Sequence, residues 1–170
     1  MTLELGVAKI DITPEKPVPL AGFAIRENQP YSGIASRIFA RVAFFRTTDS
    51  AGIPSMAILI SADLLWWGNA LAEEIRTTVA RQWKVPKSCI LLHGTHSHSG
   101  PQTSEDHHSL LGAPDPEYLR HLKAVIYEGI ELAFQDLEQV ELFKHRGECR
   151  LGVQRRVVQK VGRNEPCPCG

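Results

Sequence analysis

No charge of one sign dominates this chain: nineteen Lys and Arg residues are matched by nineteen Asp and Glu among 170 residues. Lacking a basic run, it has no sign of the phosphate-neutralising surface that nucleic-acid binding requires, and nucleic acid is a poor candidate partner. Long apolar runs are missing too. The longest, residues 56–60 and 64–67, are far too short to cross a bilayer, and residues 1–11 have no basic start followed by an apolar block. These absences predict a cytoplasmic chain with no transmembrane segment. A disulfide framework is also absent. Cys167 and Cys169 are too close together to bridge in a Pro-Cys-Pro-Cys setting, which leaves Cys89 and Cys149 as isolated thiols, each read as a small packed residue. Internal repeats and low-complexity tracts are not seen.

What is present is the composition of an ordinary globule, 43% hydrophobic and 22% charged, in a chain long enough for one main domain with a sizeable core. Residues 3–12 alternate loosely between apolar and polar and end at Thr13-Pro14, so a strand is expected there, then a long loop to about Ser36. Residues 37–47 and 55–62, rich in Ile, Val and Phe, predict two strands of a hairpin with its turn at 49–54. Leu71, Ile75, Val79 and Trp83 recur every fourth position, which predicts an amphipathic helix over 69–83, ended by Pro86. A strand is expected at 89–93. Asp115-Pro116-Glu117 places a cap residue before a proline at the first helical position, and Leu119, Leu122, Ile126, Ile130, Ala133 and Leu137 then predict a second helix with one buried stripe. Residues 140–158 read as mostly extended. The order predicts an α/β layer with a mixed β-sheet and two main helices, in which the long loop after the fourth strand lies where such sheets bind ligands.

That loop opens on Gly94-Thr95-His96-Ser97-His98-Ser99-Gly100-Pro101, followed by Glu105, Asp106, His107 and His108. If strand geometry continues to residue 98, His96 and His98 project to the same side. One metal could then take both, or one could bind metal while the other faces substrate. Gly94 and Gly100 would let backbone approach a ligand. An arbitrary His-x-His is more often a solvated loop, but the strand-end position and the flanking glycines favour a site here. A metallo-β-lactamase type His-x-His-x-Asp-His run would need Asp where Gly100 stands, which excludes that hydrolase. Asp11 and Asp63, each at a strand end, are expected to be hydrogen-bonded structural carboxylates, and His107 and His108 to be loop.

Gly6-Val7-Ala8-Lys9-Ile10-Asp11-Ile12-Thr13, Pro19-Leu20-Ala21-Gly22-Phe23, Arg37-Ile38-Phe39-Ala40-Arg41, Ser61-Ala62-Asp63 and the histidine run resemble, in order and spacing, the opening motifs of the neutral/alkaline (non-lysosomal) ceramidases, over about residues 5–156. The resemblance implies residues 1–158 as a partial N-terminal catalytic domain of that family, an incomplete version of the whole. It implies zinc as cofactor, with His96 as a zinc ligand and His98 facing the substrate amide and helping to hold charge on its carbonyl oxygen. Arg155, in Gly152-Val153-Gln154-Arg155-Arg156, is similar to the family's substrate-contacting arginine, although Gln154 replaces the usual asparagine and Arg156 is the adjacent alternative. The implied reaction is hydrolysis of the N-acyl bond of ceramide or a similar N-acyl lipid to fatty acid and sphingoid base. The implied partners are a lipid or small-molecule amide substrate and the C-terminal remainder of the enzyme, which would carry the other ligands, a histidine, a glutamate and a tyrosine. The isolated chain is accordingly expected to be inactive.

Residues 159–170 resemble something else. Val161-Gly162-Arg163-Asn164-Glu165-Pro166-Cys167-Pro168-Cys169-Gly170 is similar to the opening half of the SEC-C motif, a zinc-binding tail. Cys167 and Cys169 would make half of a four-ligand structural site. The competing expectation is therefore a non-catalytic protein with a zinc-dependent SEC-C adaptor tail.

Overall fold

The structure, a computed structural model, describes residues 2–106, 111–144 and 146–147. Five strands form one sheet in the order β4-β3-β2-β1-β5. β1 (Thr2–Asp11), β2 (Phe39–Thr48) and β3 (Pro54–Ala62) run antiparallel in turn, while β4 (Ile90–Gly94) lies parallel to β3. β5 (Glu138–Gln139) closes the other edge, antiparallel to β1. The β2–β3 hairpin turns where Asp49 and Gly52 allow it. The Asp49 carboxylate accepts from the amides of Ala51 and Ile53, and Gly52 takes a φ of +79° that an L side chain rarely adopts.

α1 (Asn69–Trp83) makes the crossover between the parallel strands, and its predicted stripe of Leu71, Ile75, Val79 and Trp83 is buried. Its first turn has no capping side chain of its own. The carboxylate of Asp106 instead accepts from Asn69 N at 3.1 Å, so the loop after β4 caps the helix. α2 (Pro116–Gln135) starts as its sequence predicts, with Asp115 accepting from Tyr118 N at 2.7 Å and Pro116 next in line. Its buried face contains Leu122, Ile126, Ile130 and Ala133, joined by Tyr118 and Gly129.

Alternation along the strands sends Ile10, Ala40, Val42, Phe44, Ile58, Ile60 and Ile90 toward the two helices, and these side chains form one core with them. The opposite face carries Val7, Ala43, Leu59 and Leu91 in register across four strands, with Val7, Leu59 and Leu91 exposed. The stretch 140–158, expected to be mostly extended, lies outside the described residues at 145 and 148–158, and the last described strand starts before it. That strand begins at Glu138 and lasts two residues, because β5 pairs only with Glu4 and Leu5 and one further bond, Val140 N to Leu3 O, completes the contact. Leu142 and Phe143, 72% and 85% exposed, pack on no core surface among the described residues.

The Tyr118 hydroxyl donates to Ile12 O at 2.9 Å inside this core. Burial first, and then the negative charge of Asp11, push the phenol well above its ordinary range, so it stays protonated in the folded chain. Because the folded value exceeds the unfolded one, this group's stabilisation is complete below about pH 10 and is lost as pH rises further. Tyr118→Phe should cost about 1–3 kcal/mol at neutral pH, since the Ile12 carbonyl loses its partner, and should flatten the alkaline fall in stability. Urea denaturation of both proteins between pH 7 and 11 checks this; an unchanged alkaline slope would contradict it.

Candidate active site

One end of the sheet brings together Asp11, Phe39, Ala62 and Gly94, so the segments following β1, β3 and β4 meet there. The histidine run is laced to both of its neighbours. Thr95 N and Ser97 N donate to Ala62 O and Leu64 O, while Ala21 N donates to Gly100 O and Gln102 N to Pro19 O. Gly94 and Gly100 are needed for this closeness. A Cβ on Gly94 would lie 3.0 Å from Leu64 O and one on Gly100 2.8 Å from Asp63 O, so both glycines admit the loop after β3, where the sequence predicts close approach of a ligand.

Strand geometry does not continue to residue 98. β4 ends at Gly94 and His96 takes a φ of +63°, in the left-handed region. The two histidines still meet, by a turn rather than by strand alternation, with ring centroids 5.1 Å apart and planes at 70°. His96 is exposed and His98 half-buried. The Nδ1 atom of His98 is buried and has no hydrogen-bond partner among the described residues. Phe23 packs against the His98 ring with centroids 4.6 Å apart. Thr95, Ser97 and Ser99 line a cavity of about 470 Å³ together with Asp63 and Arg37.

Asp63 accepts from Phe39 N at 3.0 Å and from Arg41 at 3.2 Å. Asp11 accepts from Thr13 N at 2.9 Å and from Arg37. Although partial burial works against its charge, the Thr13 hydrogen bonds and the Arg37 guanidinium hold the Asp11 carboxyl below its ordinary range. Both aspartates thus spend their oxygens on chain positioning. The loop has a second anchor that periodicity does not reveal. Gln102, 1% exposed, accepts from Trp66 Nε1 and from the amides of Thr103 and Ser104, and donates to Leu111 O and Gly112 O. The only signal for it in the sequence is its place directly after the Gly100-Pro101 end of the histidine run.

Among the described residues, no three His, Cys, Asp or Glu side chains converge as a metal-binding set. His107, His108, Arg155, Arg156, Cys167 and Cys169 lie outside the described residues. Among the described residues, no helix is long and apolar enough to cross a membrane.

The fold has counterparts among solved structures. The crystal structure of neutral ceramidase from Pseudomonas aeruginosa superposes with a TM-score of 0.68 at 22% identity, covering 82% of this chain and 22% of that one. A structure of ceramidase complexed with C2 matches with the same score and coverage at 21% identity. At such identity these structures establish the fold, and this chain spans about a fifth of their length. Comparison with functionally curated proteins finds no significant match. Residues 3–158 match the profile of the neutral/alkaline non-lysosomal ceramidase N-terminal region, and the chain belongs to that family.

Proposed function

We propose that this chain is the N-terminal portion of a zinc-dependent amidohydrolase that cleaves the N-acyl bond of ceramide or a similar N-acyl lipid, giving fatty acid and sphingoid base. The observation that carries this reading is the pair of imidazoles, His96 and His98, held 5.1 Å apart at the strand ends by a loop bonded on both sides. Imidazole nitrogen suits zinc, and the exposed His96 is the ring free to take a metal. A catalytic zinc needs three protein ligands, so His96 supplies part of a site that residues outside the described ones complete. Zinc, when bound, would polarise the carbonyl and make hydroxide available near neutral pH. In the reaction, water adds its oxygen to the acyl carbon, the carbon–nitrogen bond breaks, and the amine leaves with a proton. His98 faces the acyl group and donates a hydrogen bond to its oxygen as charge develops there. Arg155 contacts substrate. The exposed apolar row on the second sheet face further supports a chain that works within a larger domain, since a contiguous exposed apolar patch usually marks a surface that something else covers.

Zinc uptake tests the reading. Titrated with zinc and freed of excess metal, the wild-type chain should retain more than His96→Ala does, while a Cys167→Ser/Cys169→Ser double variant should retain as much as wild type; elemental analysis reads all three. Retention lost only in the cysteine variant would overturn the assignment in favour of the SEC-C adaptor, and equal retention by His96→Ala would remove His96 from the ligand set.

A further inference from the structure

The Gly22-Phe23 turn and Arg26 converge on His98 from a loop far away in sequence. Gly22 has a φ of +106°, and a Cβ there would overlap the His98 ring, lying 2.8 Å from its Cγ. Phe23 packs on the same ring at 4.6 Å. Arg26 sits in the short 3-10 turn Ala24–Arg26, stacks on Phe23 at 4.8 Å, and donates from one nitrogen to Ala21 O at 2.9 Å and to His98 O at 2.6 Å. One guanidinium therefore ties together the main chain on either side of the ring contact. A lysine ammonium, compact and strongly hydrated, would not reproduce a planar group that also stacks on the ring.

We infer that Gly22, Phe23 and Arg26 form a clamp that holds His98 as the tautomer with its proton on Nε2. The reason is the environment of Nδ1, which is buried with no acceptor in reach among the described residues. A proton there would be an unsatisfied buried donor, and such donors are rarer and costlier than an unpaired lone pair. The proton therefore resides on Nε2, the ring nitrogen that is not shut off. His98 then offers a preset N–H donor and does not need to reorganise as the acyl oxygen gains charge. This assignment makes Gly22, Phe23 and Arg26 positioning residues, and it rests on the reading of His98 as the substrate-facing histidine. It also gives a physical task to the Gly22-Phe23 motif, which otherwise enters only as a family signature.

Long-range proton–nitrogen correlation spectra of the histidine-labelled 170-residue chain at about pH 9 test the clamp, with His98→Gln identifying the signals. The wild type should show His98 protonated on Nε2 in about tenfold excess or more. Gly22→Ala should displace the ring, and Arg26→Met and Phe23→Leu should free it, each giving averaged tautomers. Amide spectra establish that a variant is folded, and if Gly22→Ala is not, the other two decide. Averaged tautomers or a proton on Nδ1 in the wild type would overturn the inference, as would wild-type signals in Arg26→Met and Phe23→Leu. The readout involves neither zinc nor hydrolysis, so a clamp that fails and an amidase reading that fails are told apart.

Discussion

Purified as 170 residues and supplied with zinc and a short-chain ceramide, the chain is expected to release fatty acid no faster than buffer does. The reason is ligand number. A catalytic zinc is held by three protein ligands, whereas the described residues bring no three candidate side chains together. One or two imidazoles retain zinc weakly, because each lost ligand removes part of the binding free energy that a complete site supplies. Without a firmly held metal, the preset donor on His98 has no activated water to work with, and oriented hydrogen bonds alone contribute only about 10²–10³ in rate. That is small beside the acceleration of about 10⁶ or more typical of enzymes. Chromatographic detection of released fatty acid, with and without chelator, decides the matter. Release that the chelator abolishes would mean that the chain assembles a working site by itself.

A second large effect is expected in the core. Gly6 is buried on β1 directly opposite Phe44 of β2, and a methyl group there would overlap the backbone oxygen of Ala133 in the last turns of α2. A side chain in the way could rotate; a helical carbonyl cannot. Gly6→Ala must push α2 off the sheet, which also opens the edge contact between Phe44 and Phe134, whose centroids are 5.3 Å apart. The cost should lie at the top of the overpacking range, about 3 kcal/mol. For a chain of this size that lowers the melting temperature by roughly 6–12 °C. Val7→Ala, one residue along and on the exposed face, serves as the control and should change stability by no more than about 0.5 kcal/mol. Thermal melts of the two variants beside wild type test the pair. Equal melting temperatures for Gly6→Ala and wild type would show that α2 does not approach β1 as closely as the structure has it.

Much of the architecture is legible in the sequence because it follows from local rules. The repeat of Leu71, Ile75, Val79 and Trp83 at helical spacing, and the Asp115-Pro116 start of α2, are written in consecutive residues, and both helices lie where those residues put them. The hairpin and the strand before the histidine run are legible for the same reason. Less legible are features that depend on what another segment does. The position of β5 at Glu138–Gln139 is set by its pairing with Glu4 and Leu5 near the start of β1, a partner that no local apolar pattern announces. Tyr118 and Gly129 belong to the buried face of α2 because Ile12 O and Ile10 wait opposite them.

The candidate site divides the same way. The amino-acid sequence by itself determined the family, the mixed α/β layer and the position of His96 and His98 after a strand, since motif order and periodicity are properties of neighbours along the chain. Only the tertiary structure decided how the two rings meet, through a left-handed turn at His96 rather than continued alternation. It alone decided that Gly94 and Gly100 serve backbone packing, and that Gly22, Phe23 and Arg26 enclose His98. These depend on segments distant in sequence approaching within van der Waals contact, and close packing at that range is a property of the folded chain as a whole, which no local spacing encodes.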